Sequence, residues 1–323
     1  MVLRPFLDAL LSEARQARAA PPALDYRFDE PMAAHTTFRV GGPADLWLRP
    51  GGDLLPRFAG LLFRRAREAG VPVFILGGGA NLVVSDRGIR GVVLDTGAWA
   101  GIRREGEDLY VRSGTPVDEA AEYCARQGRA GLEFLAGMPG TLGGAVWMNA
   151  RCYERSLSDI LAEAEILDPD GADAGPIRVP RSPGDFGYKR SPFQGRGALI
   201  LGALLRSSGG DPEEIRRKMA EHRGDRERKG HYRYPSAGSV FKNNRDFGAS
   251  AGRIIDELGL RGLRLGGACV APWHGNIIIN TGGASAADIR SLSELVAARV
   301  KAERGLELEP EILFAGEWGD SQH

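Results

Sequence analysis

Two apolar runs, Val71-Pro72-Val73-Phe74-Ile75-Leu76 and Leu82-Val83-Val84-Ser85, are joined by Gly77-Gly78-Gly79-Ala80-Asn81 and nothing else. Short apolar runs rich in β-branched residues read as buried strands. A dinucleotide loop of the Gly-x-Gly-x-x-Gly type must open a helix. Here a strand follows, the third glycine is missing, and no Walker lysine is present. Two readings remain open for this turn. Its successive backbone N–H groups can converge on an anion as a nest, or it can be a tight hairpin turn.

The turn is one of many. The chain has 45 glycines among 323 residues, many as doublets or triplets between runs of Val, Ile and Leu. That interleaving points to backbone that needs positive φ or close approach, and not to a flexible linker. The length allows two or three domains with their own cores. A formal net charge of zero argues against a nucleic-acid or acidic-membrane surface. Cys124, Cys152 and Cys269 are dispersed and odd in number, which fits reduced thiols rather than a disulfide framework or a zinc site. His35, His222, His231, His274 and His323 show no metal-ligand spacing and read as surface or turn residues, so no metal is expected. No run is long enough to span a bilayer. Asp8 and Glu13 interrupt the apolar N-terminus, which therefore reads as an amphipathic helix and not a signal peptide. The expected compartment is the cytoplasm.

Helix signals fall at Leu54–Ala69, Val117–Arg126, Glu213–Lys229 and near Gly252–Leu258. Strand signals fall at Gly91–Asp95, Asp108–Arg112, near Ile160–Leu167 and Ala198–Leu204, and at Asn276–Asn280. Ser285 and Asp288 form a capping-box-like start to a last helix, with Ile289, Leu292, Val296 and Val300 on its buried face. The turn-rich stretch Ser207–Pro212 marks a domain boundary.

Four further segments bear chemistry. Thr36–Asp45 and Gly137–Ala150 are small-residue turns like the one at Gly77, and each alone is read equally well as structural or functional. Tyr234-Pro235-Ser236-Ala237-Gly238-Ser239-Val240-Phe241-Lys242-Asn243 presents one hydroxyl, Ser239, beside a cation and an amide. In Leu308-Glu309-Pro310-Glu311-Ile312, Pro310 restricts Glu309 to extended backbone. A strand there aims Glu309 and Glu311 the same way; the plainer reading is an edge strand with solvated carboxylates.

In that order, Thr-Thr-Phe-Arg-Val-Gly-Gly, Gly-Met-Pro-Gly-Thr-Leu-Gly-Gly, Ala-Gly-Ser-Val-Phe-Lys-Asn and Leu-Glu-Pro-Glu resemble the UDP-N-acetylenolpyruvoylglucosamine reductases, from about Thr36 to Phe314. The resemblance implies an α+β fold: a two-part FAD-binding domain of the vanillyl-alcohol-oxidase-like type and a C-terminal α+β substrate-binding subdomain. The expected blocks are 1–100, 101–210 and 211–323. It implies noncovalent FAD, NADPH as reductant, and a UDP-sugar substrate whose enolpyruvyl group is reduced in peptidoglycan precursor synthesis.

Matched residue by residue, Ser239 is the proton donor and Glu311 the catalytic glutamate. Lys189 stands where the family has a catalytic arginine, with Arg190 next to it as the alternative. Neighbouring side chains in extended backbone point to opposite faces, so both reach one group only if the segment turns, and Pro192 makes a nearby turn possible. Tyr188, Lys242 and Asn243 contact substrate. Gly41, Gly42, Gly77, Gly78, Gly79, Ala80, Asn81, Gly140, Thr141, Gly143, Gly144 and Asn149 border the cofactor. The short connection from Ser191 to Glu213 resembles the family's second type, which lacks a substrate-covering loop. The sequence departs from the family pattern at Lys189 (usually arginine), Ala80 (commonly serine), Arg151 (commonly glycine) and Asn244 (usually proline). Two other readings are a different flavin oxidoreductase on the same scaffold and a non-redox nucleotide-sugar binding module.

Overall fold

The computed structural model describes residues 3–171 and 175–319; His323 lies outside them. Seven α-helices occur among them: α1 (Leu3–Gln16), α2 (Leu55–Ala69), α3 (Val117–Arg126), α4 (Leu142–Trp147), α5 (Pro212–Arg228), α6 (Ala251–Glu257) and α7 (Ala286–Arg304). The chain divides into two compact units built from interleaved segments. The first is Met1–Phe28, Asp45–Gly78 and Gly91–Arg223; the second is Asp29–Ala44, Gly79–Arg90 and Gly224–His323. The expected boundary at 211 therefore differs from the unit boundary at Arg223. The turn-rich stretch belongs to the first unit because Ser208–Gly209 pairs with Arg129–Ala130, and the buried Arg129 guanidinium donates to the Ser207 hydroxyl at 3.1 Å.

The first unit holds two sheets. One orders its strands Ala23–Pro31, Pro43–Gly51, Ile89–Asp95, Val73–Leu76, the last two parallel. α1 and α2 pack Leu10, Phe58 and Leu62 against Leu46, Leu48, Val92 and Leu94. α2 stops where Gly70 takes φ +63°, the left-handed turn that glycine adopts without a steric penalty. The other sheet is fully antiparallel, in the order Ile177–Pro180, Leu161–Leu167, Leu199–Leu205, Asp108–Arg112, Ile102–Glu105. Alternation along Asp108–Arg112 sends Leu109 and Val111 into a core shared with α3. Tyr110 instead donates to Glu165, with Arg103 lying over its ring.

In the second unit a three-stranded antiparallel sheet, Arg264–Leu265, Ala268–Val270 and Ile278–Asn280, is covered by α7 through Ile289, Leu292, Val296 and Val300. Phe38, Val40 and Val83 complete that core. Leu82–Val84 pairs in parallel with Leu313–Ala315. The strands on either side of the Gly77–Asn81 turn thus join different sheets, and the hairpin reading fails. The strand expected at Leu308–Ile312 is also absent. Pro310 makes only an isolated bridge to Phe241, because proline offers no N–H to continue a ladder. α4 lies inside the stretch read as a plain glycine turn.

Candidate active site

The Ser239 turn is stitched into the second unit by backbone. Ser239 bridges Ile277, and the Val240 N–H donates to Asn276 O at 2.9 Å. Buried Asn276 also brackets Phe241, accepting from its N–H at 2.9 Å and donating to its carbonyl at 2.8 Å. On the other side the Lys242 N–H donates to Glu309 O at 2.9 Å, and the Glu311 N–H donates to Val240 O at 2.7 Å. The strip from Ser239 to Lys242 therefore lies between Asn276–Ile277 and Glu309–Glu311. Val240 O accepts from the Ile312 N–H as well, at 3.5 Å. Two residues thus share one acceptor, and the simple alternation that aims Glu309 and Glu311 alike is lost.

The side chains divide accordingly. Lys242 pairs with the largely exposed Glu309. The Asn243 carbonyl oxygen accepts from the Ala251 N–H at 2.9 Å and so ties the strip to the first residue of α6. Ser239 and Glu311 are half-buried. Asn81 donates to the Glu311 carbonyl at 2.9 Å and accepts from the Leu313 N–H at 2.9 Å, which fixes the backbone on both sides of Ile312, directly after the Glu311 Cα. Thus Ser239, Lys242, Asn243, Glu311 and Asn81 are brought together within the second unit.

Tyr188 and Lys189 lie in the first unit, in a two-residue hairpin loop. The Gly187 N–H donates to Arg190 O at 3.0 Å and the Arg190 N–H to Gly187 O at 3.1 Å. Lys189 takes φ +55°, costly for a residue with a Cβ. Tyr188 and Arg190 are exposed and Lys189 is half-buried. The turn that brings Lys189 and Arg190 out of plain alternation is real, and it comes before Pro192. Arg151 folds over its own hairpin, donating to Glu154 at 3.1 Å and to Ser156 Oγ at 3.3 Å.

The expected cofactor glycines separate by what surrounds them. In the second unit, a Cβ on Gly41 would sit 2.8 Å from Val84 Cβ. One on Gly42 would collide with Asp86 O, and one on Gly79, at φ +59°, with His35 O. Ala80, the residue after these glycines, is half-buried. In the first unit, a Cβ on Gly77 would lie 2.7 Å from Thr141 Oγ1, and one on Gly78 2.7 Å from Gly140 Cα. Gly143 backs onto Ser113 Cβ at 2.8 Å. These six are small because the protein packs against itself there.

Gly144 is different. It is exposed, and a Cβ there meets only Thr141 Oγ1, at 3.9 Å. The hydroxyls of Thr141 and Ser113 are buried with no protein hydrogen-bond partner among the described residues. Two orphaned hydroxyls beside an open glycine suit a flat, polar-edged ligand, so the Gly140–Gly144 turn fits the expected flavin. Ser113, in Arg112-Ser113-Gly114-Thr115, escaped the sequence reading. Its only signal was a small-residue turn directly after a strand.

No group of metal-ligating side chains able to hold an ion occurs among the described residues. The paired rings of His231 and His274, 6.4 Å apart, both titrate below the usual histidine range, mainly because burial disfavours the imidazolium. His231 is pushed down to about 4.

Comparison with known proteins gives two family matches. A family model described as "FAD binding domain" matches residues 61–172, and one described as "UDP-N-acetylenolpyruvoylglucosamine reductase, C-terminal domain" matches residues 230–315. UDP-N-acetylenolpyruvoylglucosamine reductases of Treponema pallidum and Treponema denticola are 39% and 40% identical, each over 90% of this chain and 94% of the relative. That of Rubrobacter xylanophilus is 40% identical over 90% of this chain and 95% of its own length. The crystal structure of UDP-N-acetylenolpyruvylglucosamine reductase from Thermus caldophilus is similar at a TM-score of 0.74 and 33% identity, covering 90% of this chain and 98% of that one.

Proposed function

Because the chain belongs to the UDP-N-acetylenolpyruvoylglucosamine reductase family, we propose how its own residues divide the work of that reduction. The chain is an FAD-dependent oxidoreductase that reduces the enolpyruvyl group of UDP-N-acetylglucosamine enolpyruvate with NADPH as reductant, giving UDP-N-acetylmuramate. When bound, FAD supplies hydride transfer from NADPH to the enolpyruvyl double bond. The Gly140–Gly144 turn with Ser113 borders the cofactor, Thr141 and Ser113 supplying the hydroxyls that now lack partners.

Reduction at the double bond builds negative charge on the carboxylate side of the substrate. A fixed cation there lowers the barrier, and Lys189 provides it. Ser239 gives the proton to the neighbouring carbon. A serine hydroxyl is a weak acid, so it needs a preorganised site in which the alkoxide is stabilised. Glu311 orients the groups around that hydroxyl. Lys242, steadied by Glu309, and Asn243, steadied by α6, hold the UDP-sugar with Tyr188. The observation that carries this assignment is the backbone strip from Ser239 to Lys242, because its bonds put the serine turn and the Glu311 segment in one register.

The finer setting is also a proposal. It comprises cytoplasmic peptidoglycan-precursor synthesis serving cell shape and division, small molecules in place of nucleic acid, subdomains at 1–100, 101–210 and 211–323, and the family's second type. The zero net charge supports small-molecule partners, and the short connection from Ser191 to Glu213 supports the second type.

The test separates the half-reactions. Holoenzyme should purify yellow and release free FAD on heating or acidification. In Ser239→Ala, NADPH should still bleach the flavin at the wild-type rate. Reoxidation by the enolpyruvyl sugar should slow by roughly 10²–10⁴-fold. Unchanged reoxidation in stopped-flow traces would reduce Ser239 to a turn residue. A colourless protein that takes up no flavin would overturn the whole reading.

A further inference from the structure

The two hydrogen bonds of the Gly187–Arg190 hairpin close its loop but do not hold it in place. Three side chains do. Asn149 donates from Nδ2 to Gly187 O at 2.8 Å, while its Oδ1 accepts from the Ser158 N–H at 3.0 Å. Gln194 donates from Nε2 to Lys189 O and to Trp147 O, both at 3.1 Å. Ser191 Oγ donates to Trp147 O at 2.7 Å. Trp147 is the last residue of α4, so the hairpin is lashed to the end of the helix that follows the Thr141 turn.

Asn149 suits this post. It is only 2% exposed, and its φ of +43° is one that asparagine tolerates better than most residues. Its amide meets protein on both sides: the oxygen holds the 156–158 segment and the nitrogen holds the hairpin. Lys189, at φ +55°, occupies a conformation that persists only where the surroundings over-determine it. Here its own carbonyl and the Gly187 carbonyl are both bound by side chains.

We propose that Asn149 is a positioning residue for Lys189, with Gln194 as a second strut, and that it serves substrate reduction rather than cofactor binding. The proposal rests on the role given to Lys189 above. Its physical reason lies in the residue type. An arginine can find a carboxylate through a planar two-point fork, which corrects small errors of placement. A lysine is a point charge on a flexible stem. Where lysine replaces arginine, orientation must come from the backbone that carries it, and Asn149 and Gln194 grip that backbone on both sides of Tyr188.

The test uses the FAD holoenzyme. Asn149→Asp keeps the size, the tolerance of positive φ and the acceptor for Ser158, and loses the donor to Gly187. Gln194→Glu removes the donors to Lys189 and Trp147, and serves also if the first variant fails to fold. In each, flavin retention on ultrafiltration and the rate of flavin reduction by NADPH should match wild type. Reoxidation by the enolpyruvyl sugar should slow by about 10²-fold, the cost of a misplaced reacting group. Lys189→Met should slow it at least as much, and adding Asn149→Asp to Lys189→Met should cost nothing further, because the asparagine acts through the lysine.

Losses that multiply in the double variant overturn the inference and leave the Lys189 assignment standing. So does an Asn149→Asp protein that loses flavin while its remaining holoenzyme reoxidises normally. Reoxidation of Lys189→Met at the wild-type rate overturns the Lys189 assignment, and the inference with it.

Discussion

Gly143 and Gly144 are neighbours in one doublet and are glycines for opposite reasons. A methyl on Gly143 would press on Ser113 Cβ at 2.8 Å. Gly143→Ala should therefore cost about 1–3 kcal/mol of stability, as overpacked cores do, read as a lowered melting temperature even in apoprotein. Gly144 has open space at its Cβ position. Gly144→Ala should leave apoprotein stability unchanged or raise it by about 0.5–1 kcal/mol through helix propensity, yet weaken flavin retention in ultrafiltration. Equal retention by Gly144→Ala and wild type would remove the flavin from that face. His231 gives a pH test. With burial first, and the charge of Arg226 and nearby His274 and Lys229 adding to it against Asp225, its folded pKa falls to about 4 from an ordinary 6.5. The folded state prefers the neutral ring, so this stabilisation is whole above pH 6.5 and is lost as pH falls toward 4. It amounts to at most roughly 3 kcal/mol. Urea midpoints at pH 7 and 4.5 should differ less in His231→Gln than in wild type. At this scale the sequence offered Ser239, Lys242 and Glu311 as candidates because each stands in a short local motif. It concealed Asn276, Gln194 and the true bonding of Asn81 and Asn149. Each has a partner distant in the chain, Asn81 reaching Glu311, Asn276 reaching Phe241, Gln194 reaching Trp147 and Asn149 reaching Gly187, and no local pattern encodes such a pairing.

Elements were legible where one local rule sufficed. α3 begins and ends at its expected residues because its apolar spacing and its acidic first turn agree. α7 is capped at Ser285, as expected, where the capping box with Asp288 forms. What the pattern left out is a third cap: Asp86 accepts from the Ala286 and Ala287 N–H groups at 2.8 and 2.9 Å. Two N–H groups that a helix start leaves unpaired are thereby satisfied by a residue two hundred positions away. Asp86→Ala should lower stability by about 0.5–2 kcal/mol, measured as a shift of the denaturant midpoint at constant slope. An unshifted midpoint would mean that water replaces the carboxylate without loss. The strands Ala23–Pro31 and Pro43–Gly51 were missed. The first is largely exposed along its length and carries charges, as sheet edges do to discourage pairing with other chains. The second starts on proline directly after a glycine pair and so reads as more turn. α4 was hidden by Gly143 and Gly144, which lower helix propensity in a helix of only six residues.

For the whole molecule, the unit that carries Ser239 is not the stretch of chain that carries it. Phe38, Val40 and Val83 belong to its core, Asn280 donates to Phe38 O at 3.0 Å, and Leu313–Ala315 pairs with Leu82–Val84. A fragment of residues 224–323 should therefore show no cooperative thermal transition by circular dichroism, although the C-terminal family match falls wholly within it. A sharp two-state melt of that fragment would refute this. The turn-rich stretch Ser207–Pro212 suggested a boundary between consecutive blocks; the interleaving was not readable, since parallel pairing across most of the chain leaves no sequence spacing to detect. The same pairing bears on how the protein is made. Leu82–Val84 is wholly buried in the finished molecule, but its partner strand Leu313–Ala315 is made only after more than two hundred further residues. At about 5–20 residues per second, the nascent chain carries that apolar edge uncovered for on the order of 10–50 s. The cell must shelter it for that time, so a ribosome stalled anywhere before Leu313 should release a substrate for chaperones and proteases instead of a partly working enzyme.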